Sequence, residues 1–185
     1  MKNRTTLSAL AACSLLALAA CGGDAPADDA NASGEIGSET LAALIDHSAD
    51  LSTTAEILGD SGLQSVFDGN APYTVFAPTD EAFAAQDIPL EGEETQAARV
   101  AILREHILPG FLTRADIVGA VESSGGSVEM QTMGSNTLTF TQDGDTLVIA
   151  SSDGSQAQVS GAGMSGANGS VFPVDGVLKS LDAPG

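Results

Sequence analysis

The chain has 185 residues, and its 25 Asp and Glu residues against 6 Lys and Arg residues give a formal net charge of -19 at pH 7. A protein that binds nucleic acid needs a cluster of basic side chains to neutralise phosphates, so this composition excludes a nucleic-acid partner. Hydrophobic residues make up 43% of the chain, which is too many for an intrinsically disordered protein, and most of the chain is therefore expected to fold.

The first 20 residues have the pattern of a secretory leader. Lys2 and Arg4 precede an apolar run over residues 7–20, and this run is shorter than the roughly 20 residues that span a bilayer. A basic start, a short apolar stretch and small residues at its end are typical of a segment that is cleaved on export. We therefore predict a signal peptide at residues 1–20.

The end of the leader, Leu18-Ala19-Ala20-Cys21, resembles the lipobox of bacterial lipoproteins. The resemblance implies that Cys21 is the lipid attachment residue and the first residue of the mature chain. Cys13 leaves with the leader, so Cys21 has no partner for an internal disulfide. Acyl chains would anchor the protein to a membrane of the cell envelope, and Gly23 favours the outer one, because inner-membrane lipoproteins carry Asp there. The alternative is an ordinary signal peptide with an incidental cysteine.

Composition divides the mature chain into a tether and one domain. Residues 21–37, which begin with the lipidated cysteine, are rich in Gly, Ala, Asp, Asn and Ser without apolar periodicity, and this predicts a flexible tether. Residues 38–185 have the size of a single domain that can bury a core without disulfides.

Helical spacing predominates in the first half of the domain. Leu41, Leu44 and Ile45 fall on one face of a predicted helix. Thr79 is expected to cap another helix, which has acidic residues in its first turn. Further helices are predicted at residues 53–58, 63–67, 94–107 and 116–121. The helix at 94–107 has an apolar stripe of Val100, Leu103 and Ile107, and Thr113 is expected to cap the helix at 116–121. A strand is predicted at residues 73–77, and Pro78 stops it.

The second half contains short runs rich in Val, Ile, Thr and Phe, separated by turn signals such as Asp143-Gly144-Asp145. Helices followed by hairpins predict an α+β domain, whereas alternating βαβ units would predict a parallel nucleotide-binding sheet. The predicted strands are 128–132, 137–141, 146–150, 157–160 and 171–178.

Three sequence blocks carry a family resemblance. Residues 73–83 contain T-V-F-A-P-T-D-E-A-F, residues 103–110 read L-R-E-H-I-L-P-G, and residues 167–178 read A-N-G-S-V-F-P-V-D-G-V-L. Together they resemble the fasciclin domain, over about residues 40–181. The resemblance implies a β-sandwich or wedge with helices packed over it, in a non-catalytic adhesion domain. The family-motif positions, with a structural or adhesive role, are Thr74, Val75, Phe76, Ala77, Pro78, Thr79, Phe83, His106, Asn168 and Gly169.

The chain departs from the family pattern at positions tied to adhesion in animal members. Glu105 replaces the Tyr that often precedes the His of the second block, and Phe172 replaces the usual His of the third. Residues 161–166 replace an acidic integrin-type motif, so integrin binding is not implied. We expect His106 to stabilise the fold by pairing a ring nitrogen with a backbone group. The alternative is that His106 is the remnant of an adhesion site.

Sites for catalysis, nucleotides and metals find little support in the sequence. Residues 161–166 fit G-x-G-x-x-G, but a strand pattern follows where a helix would have to bind a pyrophosphate. No G-x-S-x-G elbow, H-E-x-x-H motif or Ca²⁺-binding loop is present. Asp143-Gly144-Asp145 is interpreted as a hairpin turn, and Glu91, Glu93 and Glu94 as a solvated loop and helix start. We expect no catalytic residue, no metal site and no cofactor.

The sequence as a whole predicts a membrane-anchored surface lipoprotein that mediates adhesion or contact with matrix or polysaccharide. Its expected partners are a cell-surface polysaccharide or protein and the membrane that holds its lipid anchor. The alternative is a structural or accessory envelope protein without an external ligand, and a hydrolase is a third and weaker alternative.

Overall fold

A computed structural model of the protein describes residues 37–86 and 95–179. This part of the chain folds into helices and strands in the order α1 (Leu41–Asp46), α2 (Ser52–Asp60), α3 (Gln64–Phe67), β1 (Tyr73–Pro78), α4 (Asp80–Ala85), α5 (Gln96–Glu105), β2 (Ile107–Pro109), α6 (Arg114–Ser123), β3 (Ser127–Gln131), β4 (Thr137–Asp143), β5 (Thr146–Ser151), β6 (Gln156–Gln158), β7 (Met164–Gly166) and β8 (Gly169–Val174). The predicted α+β class is confirmed, with most helices in the first half and the hairpins in the second.

The strands form two four-stranded sheets. The first sheet has the order β2-β1-β8-β7, in which the central strands β1 and β8 are parallel and the outer pairs are antiparallel. The second sheet is an antiparallel meander in the order β3-β4-β5-β6. An isolated bridge between Val159 and Val174 links the end of the meander to β8. The first and last strands of the domain therefore lie side by side in the centre of the first sheet.

Alternation along β1 divides the interior into two cores. Val75 and Ala77 point toward the helices, whereas Phe76 points toward the second sheet. The ring of Phe76 lies 5.2 Å from that of Phe140 and 5.5 Å from that of Phe172, measured between centroids. We call the core between the helices and the first sheet the helix-side core, and the core between the two sheets the inter-sheet core. The domain is thus a sandwich of two sheets, with α1 to α5 packed over the outside of the first sheet, whereas Ile117 and Val121 of α6 lie in the inter-sheet core.

Threonine side chains begin three of the helices. Thr40, Thr79 and Thr113 have an extended backbone, and each hydroxyl accepts a hydrogen bond from the N–H three residues later. At α6, Asp116 also accepts from the N–H of Thr113 and so completes a capping box. Each cap satisfies a backbone donor that the helix itself leaves without a partner.

The helix expected over residues 94–107 ends earlier than predicted. It ends at Glu105, and Ile107 begins strand β2, where it pairs with Val75. The apolar stripe was therefore assigned wrongly, because the two buried apolar side chains of α5 are Ile102 and Leu103 and Val100 is only half-buried. An apolar residue at position 107 satisfies a helical and an extended pattern equally, and a three-residue strand is too short for periodicity to reveal.

Three other features of the predicted strands differ from the structure. The closing strand expected at residues 171–178 is β8, at Gly169–Val174, and the buried residues Val177 and Leu178 follow a bend without belonging to a strand. Strand β7 was not predicted, because its residues are Met, Ser and Gly. Pro78 is the last residue of β1 and does not stand after it.

Candidate functional site

The first family block lies on the central strand of the first sheet. Residues 75–77 have no exposed surface, so none of them is available to a partner. Thr74 is also fully buried: its hydroxyl donates to the carbonyl oxygen of Gly110 at 2.8 Å and accepts from the N–H of Leu112 at 2.9 Å. These bonds join β1 to the segment that follows β2.

The block continues into an aspartate that joins two helices. After the cap residue Thr79, the carboxylate of Asp80 accepts from the Ser52 hydroxyl at 2.7 Å and from the Thr53 N–H at 2.8 Å, at the start of α2. Burial raises the pKa of the Asp80 carboxyl group, but these hydrogen bonds together lower it by more than burial raises it, so the net pKa lies below its usual value. Asp80 therefore caps α2, while Phe83 of α4 is buried in the helix-side core.

His106 follows the last residue of α5 and is fully buried. Its Nδ1 lies 2.8 Å from the carbonyl oxygen of Ile102, and its Nε2 lies 2.8 Å from the backbone nitrogen of Leu178. Because a carbonyl can only accept and an N–H can only donate, this arrangement requires a neutral ring with its proton on Nδ1. The ring thus links α5 to a segment 72 residues further along the chain, and neither nitrogen remains available to a ligand.

The surroundings of His106 favour the uncharged ring. Burial lowers the pKa of His106 to about 4, and the hydrogen bond to Ile102 and the nearby carboxylates of Glu105 and Asp153 offset only part of this effect. A protonated ring would also turn an N–H toward the N–H of Leu178.

The low pKa of His106 predicts that the protein loses stability as the pH falls from 6.5 to 4. In this window the unfolded state binds a proton at His106 that the folded state does not bind, so acid favours unfolding. The contribution of the neutral ring is complete above pH 6.5 and decreases by about 1.4 kcal/mol per pH unit, to a total loss of about 3 kcal/mol. Urea unfolding at a series of pH values measures this slope.

Two variants separate the contribution of His106 from those of other groups. His106→Gln should lose most of the slope above pH 4.5, whereas His47→Ala, which changes an exposed ring, should keep it. The lowered pKa values of Asp80, Glu105 and Asp116 act in the same direction at lower pH. A slope between pH 6.5 and 4.5 that is equal in wild type and His106→Gln would contradict the assignment.

Glu105 occupies the position of the family tyrosine and is only 3% exposed. Its Oε2 accepts from the Thr132 hydroxyl at 2.8 Å and the Asn136 N–H at 2.9 Å, and its Oε1 accepts from the N–H and the hydroxyl of Ser135, both at 3.0 Å. The Nζ of Lys179 lies 3.8 Å from Oε1. The carboxylate therefore holds the loop between β3 and β4 against the end of α5.

The loop is shaped to receive this carboxylate. A side chain at Gly134 would overlap the carboxyl group of Glu105. Burial raises the pKa of Glu105, but the hydrogen bonds from Ser135, Asn136 and Thr132 together lower it by more than burial raises it, so the net pKa is below its usual value. This role of Glu105 was not predicted from the sequence. A signal was available, because an acidic residue in the last turn of a helix opposes the helix dipole and needs donors from elsewhere.

Asn168 fastens the start of β8 to the helical layer. Its Oδ1 accepts from the N–H of Leu41 at 2.9 Å, and its Nδ2 donates to the carbonyl oxygens of Phe67 at 2.5 Å and Gly69 at 2.7 Å. Its own carbonyl oxygen accepts from the N–H of Tyr73 at 3.1 Å. The sequence indicated only a turn at this position, whereas the side chain joins three separate segments.

An acidic cleft of about 530 Å³ lies beside α4. Two of its carboxylates serve the fold, because Asp80 caps α2 and Asp175 accepts from the N–H of Gln158 at 2.6 Å. Across residues 37–86 and 95–179, no three His, Cys, Asp or Glu side chains form a group that could hold a metal ion. No histidine lines the cleft, whose walls are Asp50, Thr79, Asp80, Glu81, Ala82, Ala85, Ser160 and Asp175.

The second sheet presents a nearly uncharged surface. Leu138, Phe140 and Ile149 point into the inter-sheet core, so the residues that alternate with them along the strands point outward. Only Glu129 and Asp143 carry charge among these outward strand residues. We call this surface the outer face; it comprises Ser127, Glu129, Gln131, Thr137, Thr139, Thr141, Asp143, Thr146, Val148, Ala150, Gln156 and Gln158.

Several predicted features lie outside the described residues. These are the leader at residues 1–20, the lipid attachment residue Cys21, all of the tether but its last residue, and the acidic residues Glu91, Glu93 and Glu94. Within the described part of the chain, no helix is both long and apolar enough to cross a membrane.

Comparison with known proteins identifies relatives of this architecture. The family model of the fasciclin domain matches residues 49–180. Among 21 matching chains of solved structures is the FAS1 domain pair from the insect cell adhesion molecule Fasciclin I, with a TM-score of 0.68 and 19% sequence identity. The match covers 78% of this chain and 52% of that chain, so this protein spans about half the length of the domain pair. No curated protein sequence matches the chain.

Proposed function

Because the chain belongs to the fasciclin domain family, we propose that it is a lipid-anchored protein of the cell envelope whose domain mediates adhesion through surface contacts. The proposal rests on the observation that both ring nitrogens of His106 form hydrogen bonds with backbone groups. Glu105 and Asn168 are engaged in the same way. The buried side chains of His106, Glu105 and Asn168 therefore maintain the fold, and we assign contact with a partner to the exposed surface.

We assign the contact to the outer face of the second sheet. Acidic side chains cover much of the remaining surface, and they repel the acidic polymers and proteins common at cell surfaces. The outer face reduces this repulsion, because it carries only two charges, and its Thr and Gln side chains supply hydroxyl and amide groups that can hydrogen-bond to a polysaccharide. Without an aromatic ring for stacking, each contact is weak, so adhesion depends on many anchored copies that bind together.

Adding a negative charge to the outer face is expected to weaken adhesion. In Thr139→Glu, the new carboxylate lies in the middle of β4 and would have to be desolvated against the partner. We expect the bound fraction of fluorescently labelled protein on whole cells and on extracted polysaccharide to fall about tenfold. The measurement uses the chain from residue 22 onward, displayed on beads so that many copies act together.

A matched control adds the same charge elsewhere. Ala101→Glu changes an exposed residue of α5, away from the second sheet, and should bind like wild type. Equal binding by the two variants would remove the outer face from the proposal. If wild type binds neither cells nor polysaccharide, the alternative of a structural or accessory envelope protein without an external ligand is favoured.

Substitution of Cys21 with serine is expected to release the protein from the membrane. The thiol is the proposed point of acylation, and without it the chain has no acyl anchor. Fractionation of expressing cells, together with labelling by radioactive palmitate, measures both outcomes. Cys13→Ser is the matched control, since this cysteine leaves with the proposed leader and its loss should change nothing. Palmitate that still enters Cys21→Ser would refute the assignment.

A further inference from the structure

Asn168 is the one asparagine of this chain that glycine follows. The other four asparagines, at positions 3, 31, 70 and 136, precede Arg, Ala, Ala and Thr. An asparagine side chain can be attacked by the backbone nitrogen of the next residue, which closes a five-membered succinimide ring. Glycine allows this attack most readily, because it has no Cβ to hinder the approach. Asn168 is thus the asparagine of the unfolded chain that forms a succinimide most readily.

The fold holds this pair in an unreactive state. Asn168 is 7% exposed, and its Oδ1 and both hydrogens of its Nδ2 are engaged by Leu41, Phe67 and Gly69. Gly169 is equally restrained, because it pairs with Tyr73 in the centre of the first sheet. The side chain cannot rotate toward the backbone nitrogen of Gly169 without breaking three hydrogen bonds.

We propose that Asn168 is a modification site that unfolding of the domain opens, at which the amide is lost without the help of an enzyme. The backbone nitrogen of Gly169 bonds to Cγ of Asn168, and the bond from Cγ to Nδ2 breaks. The side-chain nitrogen leaves as ammonia with the proton that Gly169 gives up. Water then opens the ring at either carbonyl, which yields aspartate or isoaspartate.

Neither product fits the native structure. An aspartate would place a carboxylate oxygen against the carbonyl oxygens of Phe67 and Gly69, where Nδ2 now donates. Isoaspartate would insert a methylene into the main chain beside Gly169, where even a Cβ would overlap the carbonyl oxygen of Tyr73. A molecule that stays unfolded long enough therefore loses the ability to refold, and the reaction sets a limit on its lifetime.

Mass spectrometry of wild-type protein tests the proposal directly. The protein is incubated at mildly alkaline pH, once in buffer and once in concentrated urea, and the peptide that contains Asn168 is followed over time. We expect the amide to be lost at least about tenfold faster in urea, since only open molecules react. Asn70 is an internal control, because it is exposed in the fold and should react slowly at a similar rate in both conditions.

Refolding after dilution of the urea tests the second half of the proposal. Molecules with an intact Asn168 should recover the native melting transition, and modified molecules should remain in the unfolded fraction. Equal rates of amide loss in buffer and urea would contradict the claim that the fold protects Asn168. An intact Asn168 after prolonged unfolding would contradict the claim that Asn168 is a modification site. Modified molecules that regain the native melting transition would overturn the block to refolding.

Discussion

Replacing His106 with alanine is expected to lower the free energy of unfolding by about 3–5 kcal/mol. The substitution empties a fully buried site and leaves the carbonyl of Ile102 and the N–H of Leu178 without their partner. In a domain of this size the melting temperature should fall by about 10 °C. Thermal and urea unfolding followed by circular dichroism measure the change.

The other histidine of the chain provides the control for this experiment. His47 contacts Glu39, and its side chain is 66% exposed, so His47→Ala should change the unfolding free energy by no more than about 0.5 kcal/mol. Binding to cells should be measured on the folded fraction of both variants. Normal binding by folded His106→Ala supports a structural role, whereas an unchanged melting temperature with binding abolished would place His106 in the adhesion site.

Substitution of Gly169 with alanine is expected to destabilise the domain by more than about 4 kcal/mol or to prevent its folding. The new Cβ would overlap the carbonyl oxygen of Tyr73 and lie 2.9 Å from Cδ1 of Leu41. The carbonyl belongs to the backbone of the neighbouring strand β1, so it cannot move aside without disturbing the parallel pairing of β1 with β8. Soluble yield, circular dichroism and resistance to proteolysis report the loss.

A glycine-to-alanine substitution at an unhindered position should instead raise the free energy of unfolding. Gly119 lies within α6, and a Cβ added there meets no atom within 4 Å. Gly119→Ala is therefore expected to stabilise the domain by about 0.5–1 kcal/mol, because alanine has the higher helix propensity. A Gly169→Ala protein with the melting temperature of wild type would contradict the close approach of β8 to β1.

Features written into short stretches of sequence were predicted well. The caps at Thr79 and Thr113 depend on a side chain and an N–H three residues away, and β4 and β5 show alternation over six or seven residues. Such patterns are local, so the order of elements follows from them. Strands β2 and β7 have only three residues each and exist because longer strands beside them offer pairing.

The buried polar contacts could not be predicted in the same way. The place of Glu105 at the end of a helix indicates that it needs donors, but not that a loop 30 residues away supplies them, and the side-chain partners of Asn168 lie 99 to 127 residues away. For His106 the expected backbone partner is present at Ile102, four residues earlier in α5, but the second partner at Leu178 depends on the complete fold. Residues that look like motif positions are here junctions between distant segments.

The parallel pairing of β1 with β8 decides when the domain can form. The paired residues are separated by about a hundred positions, so the centre of the first sheet requires closure of a loop that contains almost the whole domain. We therefore expect folding to be slow and to be completed only after the last strand has left the ribosome. A polypeptide that cannot close its central sheet early remains extended enough to be threaded through a secretion channel. The topology would thus suit the export that we propose, since late closure of the central sheet would leave the chain unfolded for passage across the membrane.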